Sequence, residues 1–142
     1  MKKYFYVLSI LFLSLIGYVS DSCAQNKELY FCEEYRNGKE IGVSNVFTTG
    51  WLTVMVDLRI SNRTFETGKI DLRISRIKDE NDNIITEKII DTVPFEVQPD
   101  WDYTYFVDKD DLKFTAPGTY RVICQKSDGT PITEGQVKII SK

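Results

Sequence analysis

The chain has 142 residues, with 18 basic and 21 acidic side chains, a formal net charge of −3 and no histidine. The lack of histidine excludes a Ser-His-Asp triad, a Cys-His pair and His-ligated zinc. Since the charges are spread along the chain without a basic stripe, neither nucleic acid nor an anionic lipid surface is an expected partner.

The first residues have the pattern of an export signal. Lys2 and Lys3 precede a largely apolar run over residues 4–19, which is shorter than the about 20 apolar residues that a bilayer span needs. We therefore predict a signal peptide at 1–24, cleaved after Ala24, and an exported protein that is periplasmic, associated with the outer membrane or secreted. Two alternatives stay open: lipidation at Cys23, which would be its only contact with a membrane, and an uncleaved anchor.

Removal of the signal leaves one domain at 25–142, with 16 basic and 20 acidic residues and a net charge of −4. Cys32 and Cys124 remain on either processing route. A disulfide between them would close a loop of about 90 residues and stabilise the fold by about 4–5 kcal/mol. The alternative is a pair of buried free thiols that pack as small apolar side chains.

Short runs in which apolar and polar side chains alternate, separated by turn residues, predict strands along this domain. The predicted strands cover residues 28–35, 41–47, 51–60, 69–78, 84–97, 101–107 and 112–114, and a closing hairpin over 118–140. Asn37-Gly38 predicts a tight hairpin turn. Pro94 predicts an edge strand or a switch between sheets, since proline lacks the donor that a central strand needs.

Aliphatic side chains alternate with other side chains most clearly in the run from Trp51 to Ile60. Its aliphatic side chains are predicted to face the core: Leu52, Val54, Val56, Leu58 and Ile60. The opposite face carries Trp51, Thr53, Met55, Asp57 and Arg59. An all-β, two-layer antiparallel sandwich of seven to nine strands is the predicted fold.

Residues 112–122 resemble a corner found in immunoglobulin-like modules of exported bacterial proteins. The resemblance rests on Pro117-Gly118-Thr119-Tyr120, where a Gly-x-Tyr step opens the penultimate strand. It implies an immunoglobulin-like sandwich in which the tyrosine hydroxyl bonds to the backbone. Val122 stands where true immunoglobulin domains have a cysteine, so no antibody-type disulfide is implied, and the fold carries no function with it.

Two aromatic features are candidate binding surfaces. Trp101, Tyr103 and Tyr105 share one face at strand spacing and predict either a platform for sugar rings or a partner, or the inner face of their strand. Trp51 and Met55 predict a protein contact if their sheet face is open to solvent. The competing interpretation is that loops or the first strand cover this face.

Acidic clusters suggest weaker alternatives. Asp108, Asp110 and Asp111 form a loop that a cation could order, although a solvated loop is the simpler interpretation. A pair of carboxylates could also make a small hydrolase. No cofactor is expected.

Taken together, the sequence predicts a non-catalytic binding or accessory module of the bacterial envelope that contacts a protein. The alternative is a carbohydrate-binding module that uses Trp101, Tyr103 and Tyr105.

Overall fold

The computed structural model describes residues 27–142. The predicted signal peptide, its cleavage point at Ala24 and the lipidation candidate Cys23 lie outside these residues. The described part contains twelve strands: β1 (Leu29–Cys32), β2 (Glu34–Arg36), β3 (Lys39–Ile41), β4 (Val46–Thr48), β5 (Gly50–Trp51), β6 (Thr53–Asp57), β7 (Lys69–Lys78), β8 (Ile84–Glu96), β9 (Tyr103–Phe106), β10 (Lys113–Phe114), β11 (Gly118–Lys126) and β12 (Pro131–Ile140). A 3-10 helix, Leu58–Ser61, follows β6.

The strands form open, mostly antiparallel sheets. A five-stranded sheet has the order β4-β12-β11-β7-β8, in which β4 is parallel to β12. A three-stranded sheet has the order β1-β6-β9, and two-stranded sheets pair β2 with β3 and β5 with β10. The all-β fold class is therefore confirmed.

One apolar core joins the three-stranded and five-stranded sheets. It takes the inward residues predicted for β6, such as Val54 and Val56, together with the inward residues of β7, such as Leu72 and Ile74. Val122 from β11, which pairs with β7 in the five-stranded sheet, joins the same core. Side chains of both sheets thus fill one interior, which gives the molecule a β-sandwich-like character.

The strand predicted over 28–35 is in fact two strands in different sheets. Glu33 breaks it, and the chain then makes the hairpin β2–β3 around Asn37 and Gly38. Both turn residues have a positive φ, 53° and 72°, as a two-residue hairpin turn of the Asn-Gly type requires.

The strand predicted over 51–60 ends early, and the inward assignment of Ile60 was wrong. Asp57 accepts a hydrogen bond from the Arg59 backbone N–H at 3.1 Å and caps the 3-10 helix. The backbone changes from a strand to a 3-10 helix after Asp57. Leu58 stays buried, but Ile60 no longer points to the core and is 48% exposed.

The long strand predicted over 84–97 is confirmed as β8. It lies at the edge of the five-stranded sheet and contains Pro94, in agreement with the proline argument.

Tyr120 closes the corner that opens β11. Its hydroxyl donates to the Ala116 carbonyl at 2.7 Å, and its ring meets Phe114 edge-on at 5.1 Å. Gly118 has a φ of 147°, and a Cβ there would lie 2.5 Å from the Lys78 carbonyl oxygen. Only glycine therefore fits at this step.

Cys32 and Cys124 are free, buried thiols in the structure, which is the alternative predicted to a disulfide between them. Cys124 belongs to the core between the sheets. Phe31 points into that core, and the neighbouring Cys32 therefore points to the other side of its sheet, where its thiol donates to the Glu34 carbonyl at 3.4 Å. A bond would have to cross the three-stranded sheet, because alternate residues of a strand face opposite sides.

We expect Tyr120→Phe to lower the free energy of unfolding by about 1 kcal/mol, because it removes the hydroxyl bound to Ala116 and leaves a carbonyl without its donor. Urea unfolding would measure the change. Tyr105→Phe is the matched control, since the Tyr105 side chain is 44% exposed. Equal stability of both variants and the parent chain would contradict the role given to this hydrogen bond.

Candidate functional site

The outer face of the three-stranded sheet is covered by the hairpin β2–β3. This face carries Tyr30 on β1, Met55 on β6 and Tyr105 on β9, which are direct cross-strand neighbours. Met55 is 0% exposed although it does not belong to the core between the sheets. The face is therefore a second, smaller interior.

Glu40 on β3 fastens this hairpin to the sheet. Its Oε1 atom accepts a hydrogen bond from the Tyr103 hydroxyl at 2.7 Å and another from the Tyr30 hydroxyl. One carboxylate thus joins the hairpin to both edge strands of the sheet. Hydrogen bonds to an ionised acceptor are stronger than those between neutral groups.

Tyr35 on β2 makes the aromatic part of the same contact. Its ring stacks on Tyr105 with a centroid distance of 4.4 Å and meets Tyr103 edge-on at 6.4 Å. The guanidinium carbon of Arg59 lies 4.1 Å from the centre of the Tyr103 ring. We call Tyr30, Tyr35, Tyr103 and Tyr105 the tyrosine cluster.

These contacts change the meaning of the predicted aromatic stripe. Tyr103 is half-buried with Arg59 on its ring, and one ring face of Tyr105 is stacked on Tyr35. Trp101 is 42% exposed but lies in the turn before β9, where its N–H donates to the Gln98 carbonyl. The stripe is neither the core-facing side of its strand nor a row of three open rings.

The predicted open row of Trp51 and Met55 requires a correction. Met55 is buried because the tyrosine cluster and the hairpin cover it, while Trp51, on β5 in a different sheet, is 36% exposed. The expectation that a neighbouring part of the chain covers this face is correct for Met55.

Trp51 lines a cleft of about 600 Å³ between the edges of β4 and β5, which we call the Trp51 cleft. Val43, Val46 and Ile140 line it as well, and these three side chains are 38–42% exposed. Phe47 and Leu52 are buried residues that also line it. The lining thus combines exposed and buried apolar side chains.

Sequence patterns did not reveal this cleft. Val43, Val46 and Ile140 come from separate elements, and β4 meets β12 only through a parallel pairing of distant segments. The kink at Gly50, with a φ of 148°, turns the chain from one sheet to the other. That glycine between two predicted strands was the one local signal, and it does not show what the bend encloses.

The Asp108, Asp110 and Asp111 loop is organised by its own backbone. The Asp108 Oδ1 atom accepts hydrogen bonds from the N–H groups of Asp110 and Asp111, both at 3.0 Å. The negative charge of Asp108 raises the pKa of the Asp111 carboxyl. Over residues 27–142, no group of three or more acidic or cysteine side chains is arranged to hold a metal ion.

Comparison with family models, with curated proteins and with solved structures finds no match for this chain. Within the described residues, the structure contains no helix with the length and hydropathy needed to cross a membrane.

We expect Glu40→Ala to lower the free energy of unfolding by about 1–3 kcal/mol, because the hydroxyls of Tyr30 and Tyr103 lose their acceptor in a partly buried site. Urea unfolding would measure this loss. The control is Glu34→Ala, which removes a carboxylate from the same hairpin. Within residues 27–142 its one ion pair is the exposed one with Arg36 at 3.7 Å. Similar losses for both variants would contradict the fastening role of Glu40.

Alkaline pH should destabilise the fold. Burial, and then the hydrogen bond to Glu40, raise the pKa of Tyr30 and of Tyr103. Burial raises the pKa of Cys32 to about 11 and that of Cys124 to about 12. In the unfolded chain these groups ionise near their ordinary values, which are about 8.5 for cysteine and about 10 for tyrosine.

The folded state therefore holds protons that the unfolded state releases. Stability is complete below about pH 8.5 and falls as the pH rises towards the folded pKa values, by up to about 1.4 kcal/mol per pH unit for each group. Urea unfolding from about pH 8 to pH 10.5 would measure the slope, and Tyr103→Phe should make it shallower. Stability that rises over this range would contradict the assignment.

Proposed function

We propose that this chain is an exported, non-catalytic binding module of the bacterial envelope that contacts a protein partner through the Trp51 cleft. The observation that carries the proposal is the partly exposed indole of Trp51 beside Val43, Val46 and Ile140. Aromatic residues are enriched in protein interfaces, and tryptophan most often dominates the binding energy where it enters a pocket. Four apolar side chains around one concavity supply such a setting.

An immunoglobulin-like sandwich is part of this proposal. It is supported by the hydrogen bond from Tyr120 to Ala116 and by a five-stranded sheet in which the penultimate strand, β11, lies between β12 and β7. In such folds, loops and strand edges carry the binding surfaces while the core is constant. The signal peptide at 1–24, or lipidation at Cys23, would deliver the domain to the envelope.

A carbohydrate-binding function is the second candidate, and the exposure of Trp101 and Tyr105 favours it. A sugar would stack on a free ring face. Because one face of Tyr105 is stacked on Tyr35 and Tyr103 carries Arg59, Trp101 would have to supply most of the platform. The Trp51 cleft has more apolar side chains in one place, and we therefore prefer the protein partner.

A photo-crosslinker introduced at Val43 would test the proposal. In envelope extract we expect one discrete crosslinked protein, and Trp51→Ala should reduce its yield about tenfold or more, as the loss of a tryptophan hot spot does. Trp101→Ala is the matched control, because Trp101 is the other exposed tryptophan and is not among the residues that line the cleft.

Circular dichroism and urea unfolding would show that both variants remain folded. Crosslinking that depends on Trp101 and not on Trp51 would overturn the proposal. Binding on a glycan array that is lost with Trp101→Ala would support the carbohydrate alternative instead.

A further inference from the structure

We infer that the Trp51 cleft takes an extended peptide segment of the partner, with a large apolar side chain flanked by acidic ones. This inference rests on the proposed function and names the chemistry of the partner. It is carried by three features of the cleft: its apolar lining, the free backbone groups on its edges and the lysines around it.

The size and lining of the cleft suit a few residues of a peptide. Its volume of about 600 Å³ lies within the range of about 300–1,000 Å³ that is typical of ligand pockets. Val46 and Ile140 offer exposed aliphatic surface, and Trp51 adds an indole. An aromatic or branched aliphatic side chain would bury its surface against all three.

Among the described strands, none pairs with the backbone groups that face away from β12 on β4 and away from β10 on β5. The Asn45 carbonyl accepts from the Lys138 N–H, and the Thr49 N–H donates to the Ile140 carbonyl. Residues 45, 47 and 49 therefore face β12, and the N–H and C=O groups of Val46 and Thr48 point away from it, because the backbone groups of successive strand residues alternate in direction.

The same alternation applies to β5. The Leu52 N–H donates to the Leu112 carbonyl at 3.3 Å, so Leu52 faces β10 and the backbone groups of Trp51 face the other side. Within the described residues, β4 and β5 each have a single strand neighbour. An extended peptide pairs its own N–H and C=O groups with such free edges.

The backbone of Val46, on the free edge of β4, is hydrogen-bonded by a nearby side chain. The Ser44 hydroxyl accepts a hydrogen bond from the Val46 N–H at 3.1 Å and lies 3.0 Å from the Val46 carbonyl oxygen. A local side chain thus satisfies Val46 in the place where a neighbouring strand would. Thr48 and Trp51 have no such substitute among the described residues, and they are the positions at which we place the peptide backbone.

Three lysines lie beside Trp51 or in the lining of the cleft. The Lys109 ammonium lies 5.0 Å from the centre of the Trp51 ring, Lys113 is the direct cross-strand neighbour of Trp51, and Lys142 lines the cleft. None of the three forms an ion pair within residues 27–142. Their positive potential favours a partner with carboxylates beside its apolar side chain.

The acidic groups of this region are placed differently from the lysines. Glu33 also lines the cleft, at the base of the covering hairpin, where a Cβ on Gly42 would lie 2.7 Å from its side chain. Asp108, Asp110 and Asp111 flank Lys109 in sequence, and the Asp108 carboxylate is used in holding that loop. The Lys109 ammonium thus lies beside the indole, and Glu33 is the one acidic side chain in the lining of the cleft.

Tryptophan fluorescence gives a direct test, because the chain has only two tryptophans. Trp101→Phe leaves Trp51 as the sole indole emitter. The probes are three synthetic peptides that differ only in their flanks: acetyl-Glu-Ile-Phe-Ile-Glu-amide, the same peptide with glutamine, and the same peptide with lysine. We expect the acidic peptide to shift the Trp51 emission to shorter wavelength and to bind about tenfold more tightly than the lysine peptide at low salt.

Salt and charge variants separate this inference from simple apolar binding. The affinity of the acidic peptide should fall as salt screens the lysines. Combining Lys113→Gln with Lys142→Gln should remove most of the preference for acidic flanks. The matched control combines Lys88→Gln with Lys126→Gln, which removes the same charge from β8 and β11 and should leave the preference unchanged.

Each other outcome overturns the inference in a distinguishable way. Equal binding of the acidic and lysine peptides would contradict the charge argument. If no peptide shifts the Trp51 emission while the crosslink at Val43 still depends on Trp51, the inference is wrong and the proposed function stands. Loss of both signals would overturn both, and an emission shift that follows protein concentration and dimer formation would make a second copy of this chain the occupant.

Discussion

The structure depends on the need to cover both faces of β6. This strand carries Val54 and Val56 on the face towards the five-stranded sheet, and Thr53 and Met55 on the other, and all four residues are buried. A sheet with one apolar face needs one layer of protein packed on it. A sheet that is apolar on both faces needs a packed layer on each side. The hairpin β2–β3 is the second layer, and Glu40 holds it by accepting the hydroxyls of Tyr30 and Tyr103.

This requirement explains where the sequence was informative and where it was not. The alternation of Val54 and Val56 with Thr53 and Met55 predicted the side of β6 that faces the main core, because alternate residues of a strand point to the same face. The same rule predicted a strand over 69–78, where β7 lies and where Ile70, Leu72 and Ile74 are buried. These predictions use only the contacts that a strand makes with the main interior.

The alternation rule could not identify what lies on the outer face. It separates one face of β6 from the other, but it does not state whether Met55 meets water or another part of the chain. The outcome depends on Tyr35 and Glu40, which reach this face only because the strand predicted over 28–35 breaks at Glu33 and folds back. Tertiary packing decides where such a strand breaks, and the sequence of a short strand carries little information about that packing.

The covering hairpin also determines which aromatic side chains are left for binding. Tyr103 and Tyr105 are used in the contact with Tyr35, so the stripe that looked most functional in the sequence has a structural role. Trp51 precedes β6 and belongs to β5, which pairs with β10 and not with β1 or β9. Its indole is 36% exposed there, with the Lys109 ammonium 5.0 Å from the ring centre.

The exposed edges of the sheets are protected to different degrees, and the edges at the Trp51 cleft are protected least. Exposed strand edges invite uncontrolled pairing, and proteins usually blunt them with proline, bulges, charges or local side chains. On the long edge strand β8, Pro94 removes a donor, irregular register interrupts the pairing with β7, and Glu87 and Lys88 add charge. At β4, Ser44 occupies the backbone groups of Val46. Among the described residues, the backbone of Thr48 and Trp51 has lysines nearby but no proline and no local side chain that occupies its N–H and C=O groups. An edge left open beside a tryptophan is what a site for strand addition requires.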